Sequence, residues 1–167
     1  MAPRPPRGIL GNLDSGVDLE FQYNPDELEE TVEVHFNKAA PQGLSHEVLQ
    51  FKNTSNHVVK FDLTFDGLTS DGSYDTLAAR RFLLASVVPR AGSGNVASAS
   101  TPTMHFFWPG EMFSLTCVVT KLQIKHKRFD GDSLATTHLV ASVTVEEKRS
   151  ERMTSEDVAK IGTMRRS

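Results

Sequence analysis

The clearest pattern in the chain is a strict alternation: Val59, Phe61, Leu63 and Phe65 are separated by Lys60, Asp62 and Thr64. A period of two predicts a β-strand with one face in a core and the other in water. Val32, Val34 and Phe36 repeat the pattern, and Phe21 and Tyr23 alternate with polar neighbours before Asn24-Pro25 turns the chain. Three further strands are predicted: Met104 to Trp108, Met112 to about Phe129, and Leu134 to Glu147. Between the last two, Phe129-Asp130-Gly131-Asp132 is a hairpin-turn signal. A change of period marks one helix, over about residues 74–88. There Leu77, Ala78, Leu84, Ala85 and Val88 recur near helical spacing, Asp75 suits the positive end of the dipole, and Pro89 stops the run.

These elements define the expected organisation. Residues 1–16 hold three prolines and three glycines with little apolar content, and they read as part of an extended N-terminal arm over 1–19. Residues 20–147 form the β domain, with a long small-residue loop at 89–102. From Glu146 onward 11 of the remaining 22 residues are charged, so residues 148–167 read as a charged C-terminal tail. The fold class is mainly β (α+β), with one helix packed on the sheet.

Composition narrows the function. At 167 residues the chain can bury a core without disulfides or a metal. A net charge of −3 gives no global attraction to nucleic acid or anionic membrane, and no segment nears the ~20 apolar residues of a spanning helix. The N-terminus lacks the apolar stretch of a signal peptide, so the protein is expected to be made and kept in the cytoplasm. Cys117, alone in an apolar run, reads as a small buried hydrophobe.

Catalytic and ligand-binding motifs are missing from the sequence. The six histidines show no metal-ligand spacing, and there is no phosphate loop or nucleophile elbow. The run from Asp66 to Asp75 lacks the donor pattern of a calcium loop, and its aspartates suit turn and cap positions. No enzyme activity, cofactor or metal is expected. Two charged stretches remain. Asp26, Glu27, Glu29 and Glu30 lie in an acidic segment spanning residues 18–33, and Lys121, Lys125, Lys127 and Arg128 form a basic stripe on a strand. The stripe suits nucleic acid or the acidic segment of another copy. The second is preferred, because the interleaved aromatics that read single strands are missing and head-to-tail charge pairing closes rings. A glycan- or nucleic-acid-binding β module, with Trp108 as a stacking platform, is the alternative function.

Phe21-Gln22-Tyr23-Asn24-Pro25 and the alternating strand to Phe36 resemble the opening of the contractile injection system tube-protein family. The resemblance continues in order through Val48-Leu49-Gln50-Phe51, Phe61 to Asp66, Pro102 to Trp108, Phe129-Asp130-Gly131 and Leu139 to Glu147. It implies a tail-tube-like β-barrel or sandwich assembling as a ring, expected to be a hexamer, at the bottom of a phage tail or injection particle. The implied partners are the chain itself and adjacent tube, hub and baseplate proteins. No membrane and no specific nucleic acid are implied, although phage DNA has a path through such a lumen. Many family members carry a C-terminal LysM domain; this chain ends at Ser167, so the bare module without cell-wall binding is expected. The 89–102 loop and the two terminal segments are the expected sites of contact between subunits.

Overall fold

The computed structural model describes residues 5–69, 72–89, 100–110 and 113–149. In chain order the strands are β1 (Ile9–Asn12), β2 (Val17–Glu20), β3 (Leu28–Thr31), β4 (Val34–Ala39), β5 (Val48–Thr54), β6 (Val58–Asp66), β7 (Leu68–Thr69) and β8 (Gly72–Ser73). The helix α1 (Thr76–Ala85) follows, then β9 (Met104–Trp108), β10 (Phe113–Phe129) and β11 (Thr136–Glu147). Seven strands form one antiparallel sheet in the order β2-β1-β9-β10-β11-β6-β3. The protein is mainly β with one packed helix, and of the two expected arrangements it takes the sandwich-like one. Its end strands β2 and β3 do not pair with each other, so the sheet is not closed into a barrel.

A single sheet with one short helix makes a core by curling on itself. The Phe61 ring on β6 stacks on Phe106 of β9 at 4.9 Å between centroids, although β10 and β11 lie between those strands. In a flat sheet three strand spacings separate such residues by about 14 Å, so the sheet must bend until its inner faces meet. Register shifts in β10 at Val119/Lys121 and between His126 and Phe129 supply part of the bend, since a bulge increases local twist. Phe21, following β2, closes the cluster at 5.7 Å from Phe61 and 6.3 Å from Phe106.

The alternation predicted for β6 and β11 is observed. Val59, Phe61, Leu63 and Phe65 are buried, as are Leu139, Ala141, Val143 and Val145. Three other expectations need correction. Residues 9–20 belong to the sheet and not to an extended arm: Leu10 and Leu19 are buried core residues, held by the pairing of β1 with β2 and β9. Only four residues per strand are involved, too few for periodicity to register among glycines and prolines. On α1 the buried positions are Thr76, Ala79 and Leu83, while Leu77 is 49 % exposed. The helix is only ten residues long, and counting apolar residues alone selected the wrong side of it. Its N-cap is Asp75, whose side chain accepts the Ala78 amide at 2.9 Å. Finally, Val32, Val34 and Phe36 alternate as expected yet are 49–50 % exposed. Val32 falls between β3 and β4, and β4, which holds Val34 and Phe36, pairs only with β5, away from the main sheet.

The predicted β10–β11 turn forms, with a different residue absorbing the unusual backbone angle. Asp130 accepts the amides of Asp132 and Ser133 and the Ser133 hydroxyl, at 2.9–3.0 Å. Those bonds hold its carboxyl below the usual range. A depressed carboxylate pKa means the turn's contribution is complete at neutral pH and is lost as pH falls through the folded-state value. The left-handed position is Leu134 (φ 56°), not Gly131. Leu134 is 75 % exposed and gains little packing there. Leu134→Asn, which tolerates this conformation, should therefore stabilise the protein by roughly 0.5–1 kcal/mol, read as a rise in Tm.

Candidate assembly interface

The motif Phe21-Gln22-Tyr23-Asn24-Pro25 is structural, residue by residue. Phe21 fills the curled core. Gln22 is 7 % exposed and clamps the end of β6: its Nε2 donates to the Asp66 carbonyl at 2.8 Å, and its Oε1 accepts the Asp66 amide at 2.7 Å. Asn24 does the same for the N-terminal segment, accepting the Gly8 amide at 3.0 Å and donating to the Pro6 carbonyl at 2.9 Å. Gly8 is needed there, because a Cβ would lie 2.6 Å from the Phe21 ring and 2.9 Å from Trp108. Trp108 itself is partly buried and packs against the core. Sequence reading identified the motif and missed the role of Gln22. Alternation with Phe21 and Tyr23 puts Gln22 on the outward side, so no local sequence signal points to its burial.

The charged residues lie on the outer face of the sheet. Register places Lys121 opposite Thr144, Gln123 opposite Ser142 and Lys125 opposite Val140. Those β11 residues face Lys60, Asp62 and Thr64 on β6, and Lys60 faces Glu29 on β3. The segment leading into β3 rises over this face and forms an open groove of about 490 Å³. Asp26, Glu27 and Glu29 line it together with Lys60, Asp62 and Lys127. The fold thus brings Lys127 into the same groove as three of the four acids within one chain. Lys121 and Lys125 stand further along the exposed face of β10. Glu30 instead meets His57 at 3.5 Å, and Arg128 lies at the β10 bulge opposite His138. Acidic and basic stretches expected on separate patches are therefore partly adjacent. The long β6–β11–β10 pairing places residues about a hundred positions apart on one surface.

The most unusual surface is the β4–β5 ribbon. One side carries Val34, Phe36, Leu49 and Phe51, with exposures of 49, 50, 59 and 64 %. The other side carries His35, Asn37, Gln50 and Asn53. Phe36 and Phe51 make an edge-to-face pair at 6.2 Å, the ribbon's main internal contact between large side chains. A two-stranded ribbon in water is marginally stable on its own, and its apolar side is left exposed by the described chain. At its root, the Ser55 amide donates to the Glu33 carbonyl at 2.7 Å, and the Glu33 amide donates to Ser55 Oγ at 2.8 Å.

The rest of the surface shows little chemistry. Cys117 is fully buried, and burial pushes its thiol up to about 12. It is therefore expected to resist alkylation in the native protein and to react only on unfolding, which mass spectrometry after iodoacetamide treatment would show. Among the described residues no group of three His, Cys, Asp or Glu side chains is placed to share a metal ion, and no helix is long and apolar enough to cross a membrane. Most of the 89–102 loop and of the 148–167 tail, both expected to contact other subunits, lies outside the described residues.

A family model described as contractile injection system tube protein matches residues 11–154. No curated protein matches the chain. Among solved structures, a chain in the cryo-electron-microscopy structure of the anti-feeding prophage baseplate, six-fold symmetrised, is similar at 12 % identity with a TM-score of 0.39. The alignment covers 89 % of this chain and 94 % of that one.

Proposed function

Since the chain belongs to the contractile injection system tube protein family, we propose that it forms a ring joining the spike hub or baseplate to the tail tube. The observation that carries this reading is the family match, which takes in nearly the whole folded body together with the β4–β5 ribbon. The chemistry is templating: one ring face fits the hub, and the other fits the first tube ring. The partners are further copies of the chain, six in the simplest ring, and the adjacent tube, hub and baseplate proteins. Its destination is a phage-tail-like particle assembled from cytoplasmic protein. Solution mass and electron microscopy of the purified chain, alone and with its hub, test this. Rings or short stacks are expected, and a strict monomer under both conditions would overturn the proposal.

Charge pairing between copies is part of the proposal, with Lys121, Lys125, Lys127 and Arg128 on one side and Asp26, Glu27, Glu29 and Glu30 on the other. Exposed pairs contribute about 0.2–1 kcal/mol each. Reversing Lys125 and Lys127 to Glu should therefore raise the ring-forming concentration by roughly 2–30-fold. Asp26→Lys with Glu27→Lys should have a similar effect. Because Lys127 lines the same groove as these acids, mixing the two variants separates the cases. If mixed variants assemble better than either alone, the pairing is between copies. If rescue needs both changes in one chain, the pairing is internal.

A further inference from the structure

We propose that the β4–β5 ribbon of one copy lies along the free edge of β2 in a second copy, head to tail. Its apolar side, on which Lys38 stands opposite Leu49, would cover Leu13 and Val17 at the acidic β2 edge. This rests on the ring-assembly reading and adds to it a specific pair of surfaces.

The ribbon needs a partner that is both apolar and acidic. Residues 34–54 contain two lysines and one glutamate, whereas residues 17–33 contain seven acidic and no basic residues. Sheet edges are where a further strand or ribbon can add, and the main sheet has two, β2 and β3. Both are acidic, with Asp18 and Glu20 on one and Glu29 and Glu30 on the other. Pairing β2 of one copy with β3 of the next would set like charges together, which disfavours direct extension of the sheet. A ribbon bearing Lys38 and Lys52 relieves that conflict.

Position selects β2 as the acceptor. The edge of β3 leads straight into β4, so a ribbon docked on a neighbour's β3 pairs the same side of both copies and ends at a closed dimer. β2 is at the other end of the strand order. A ribbon docked there joins opposite edges, and such heterologous contacts continue from copy to copy until they close. The β2 side also presents matching apolar surface, with Leu13 56 % and Val17 54 % exposed. The four large apolar side chains of the ribbon expose roughly 400 Å², about half of the ~800 Å² that each partner gives to a stable interface. One such contact is weak, and a ring, in which every copy both gives and receives a ribbon, makes it persist.

Cysteine pairs in the full-length chain test the arrangement: Val17→Cys with Phe51→Cys, and Val17→Cys with Leu49→Cys. All three positions are more than half exposed, and native Cys117 is buried. Mild oxidation of assembled rings should give a ladder of covalent dimers, trimers and larger species from at least one pair. The single-cysteine variants should give none. Dimers without a ladder would overturn the head-to-tail contact, as would rings that form without any cross-link; in the latter case ring assembly stands and the ribbon contact falls. If neither the parent chain nor its mixture with the hub forms rings, both fall. In parallel, Phe36→Ser with Phe51→Ser should raise the ring-forming concentration at least tenfold and leave the monomer's Tm unchanged. A lowered Tm with unaltered assembly would instead assign the ribbon to its own body and overturn the proposal.

Discussion

Phe61→Ala should lower the unfolding free energy by about 3–5 kcal/mol, the largest effect expected of any single change in this protein. The residue is 2 % exposed and touches both other rings of the cluster, Phe106 at 4.9 Å and Phe21 at 5.7 Å. Those rings come from three parts of the chain, so the cavity would open where the sheet folds over on itself. The curl has no other aromatic bridge between β6 and β9 among the described residues. At ~2–4 °C per kcal/mol for a domain of this size, Tm should fall by roughly 6–20 °C. Phe61→Leu keeps most of the volume and should cost less than about half as much. If the alanine variant melts within ~3 °C of the parent, the cluster is not what holds the curl.

Gln22→Ala should cost about 2–3 kcal/mol, large for a polar residue. The side chain acts as a missing strand, satisfying both the amide and the carbonyl of Asp66 where β6 ends. Truncation leaves both part-buried backbone groups without that partner. Gln22→Glu provides the sharper test. It keeps an acceptor for the Asp66 amide and turns a carboxylate oxygen toward the Asp66 carbonyl. That repulsion raises the new carboxyl's folded-state pKa, so its neutral form is favoured in the native state. The variant should therefore be destabilised at neutral pH and regain stability as pH falls through the raised value. Thermal melts of the parent and both variants at pH 7 and pH 5 would show it. A Gln22→Glu protein with no relative gain at the lower pH would contradict the clamp.

Much of the fold was legible because one-sided burial writes itself into a period of two. β6, β9, β10 and β11 were placed within a few residues of their ends, and Asp75 and Asp130 took the cap and turn roles their chemistry predicts. β1 and β2 were not legible, since a four-residue strand shows at most two inward positions, and Gly8 and Gly11 interrupt the pattern. The helix face was misread for a similar reason: ten residues leave the buried stripe resting on Ala79 and Leu83, with Leu77 a decoy.

The charged surface divides along the same line. Local sequence shows that residues 26–30 are acidic and 121–128 basic, and it is silent on the distance between them. Only the strand order carries Lys127 to the groove of Asp26, Glu27 and Glu29 and leaves Lys121 and Lys125 on the open face. The β4–β5 ribbon shows the limit most plainly. Val34, Phe36 and Phe51 have the alternation of a core strand, and that alternation says only that one side avoids water. By itself the sequence determined which residues seek burial, where turns and caps fall, and that the domain is a β sheet with one helix. The tertiary structure decided which apolar faces the chain covers and which it leaves exposed, because burial depends on long-range pairing that no local pattern encodes.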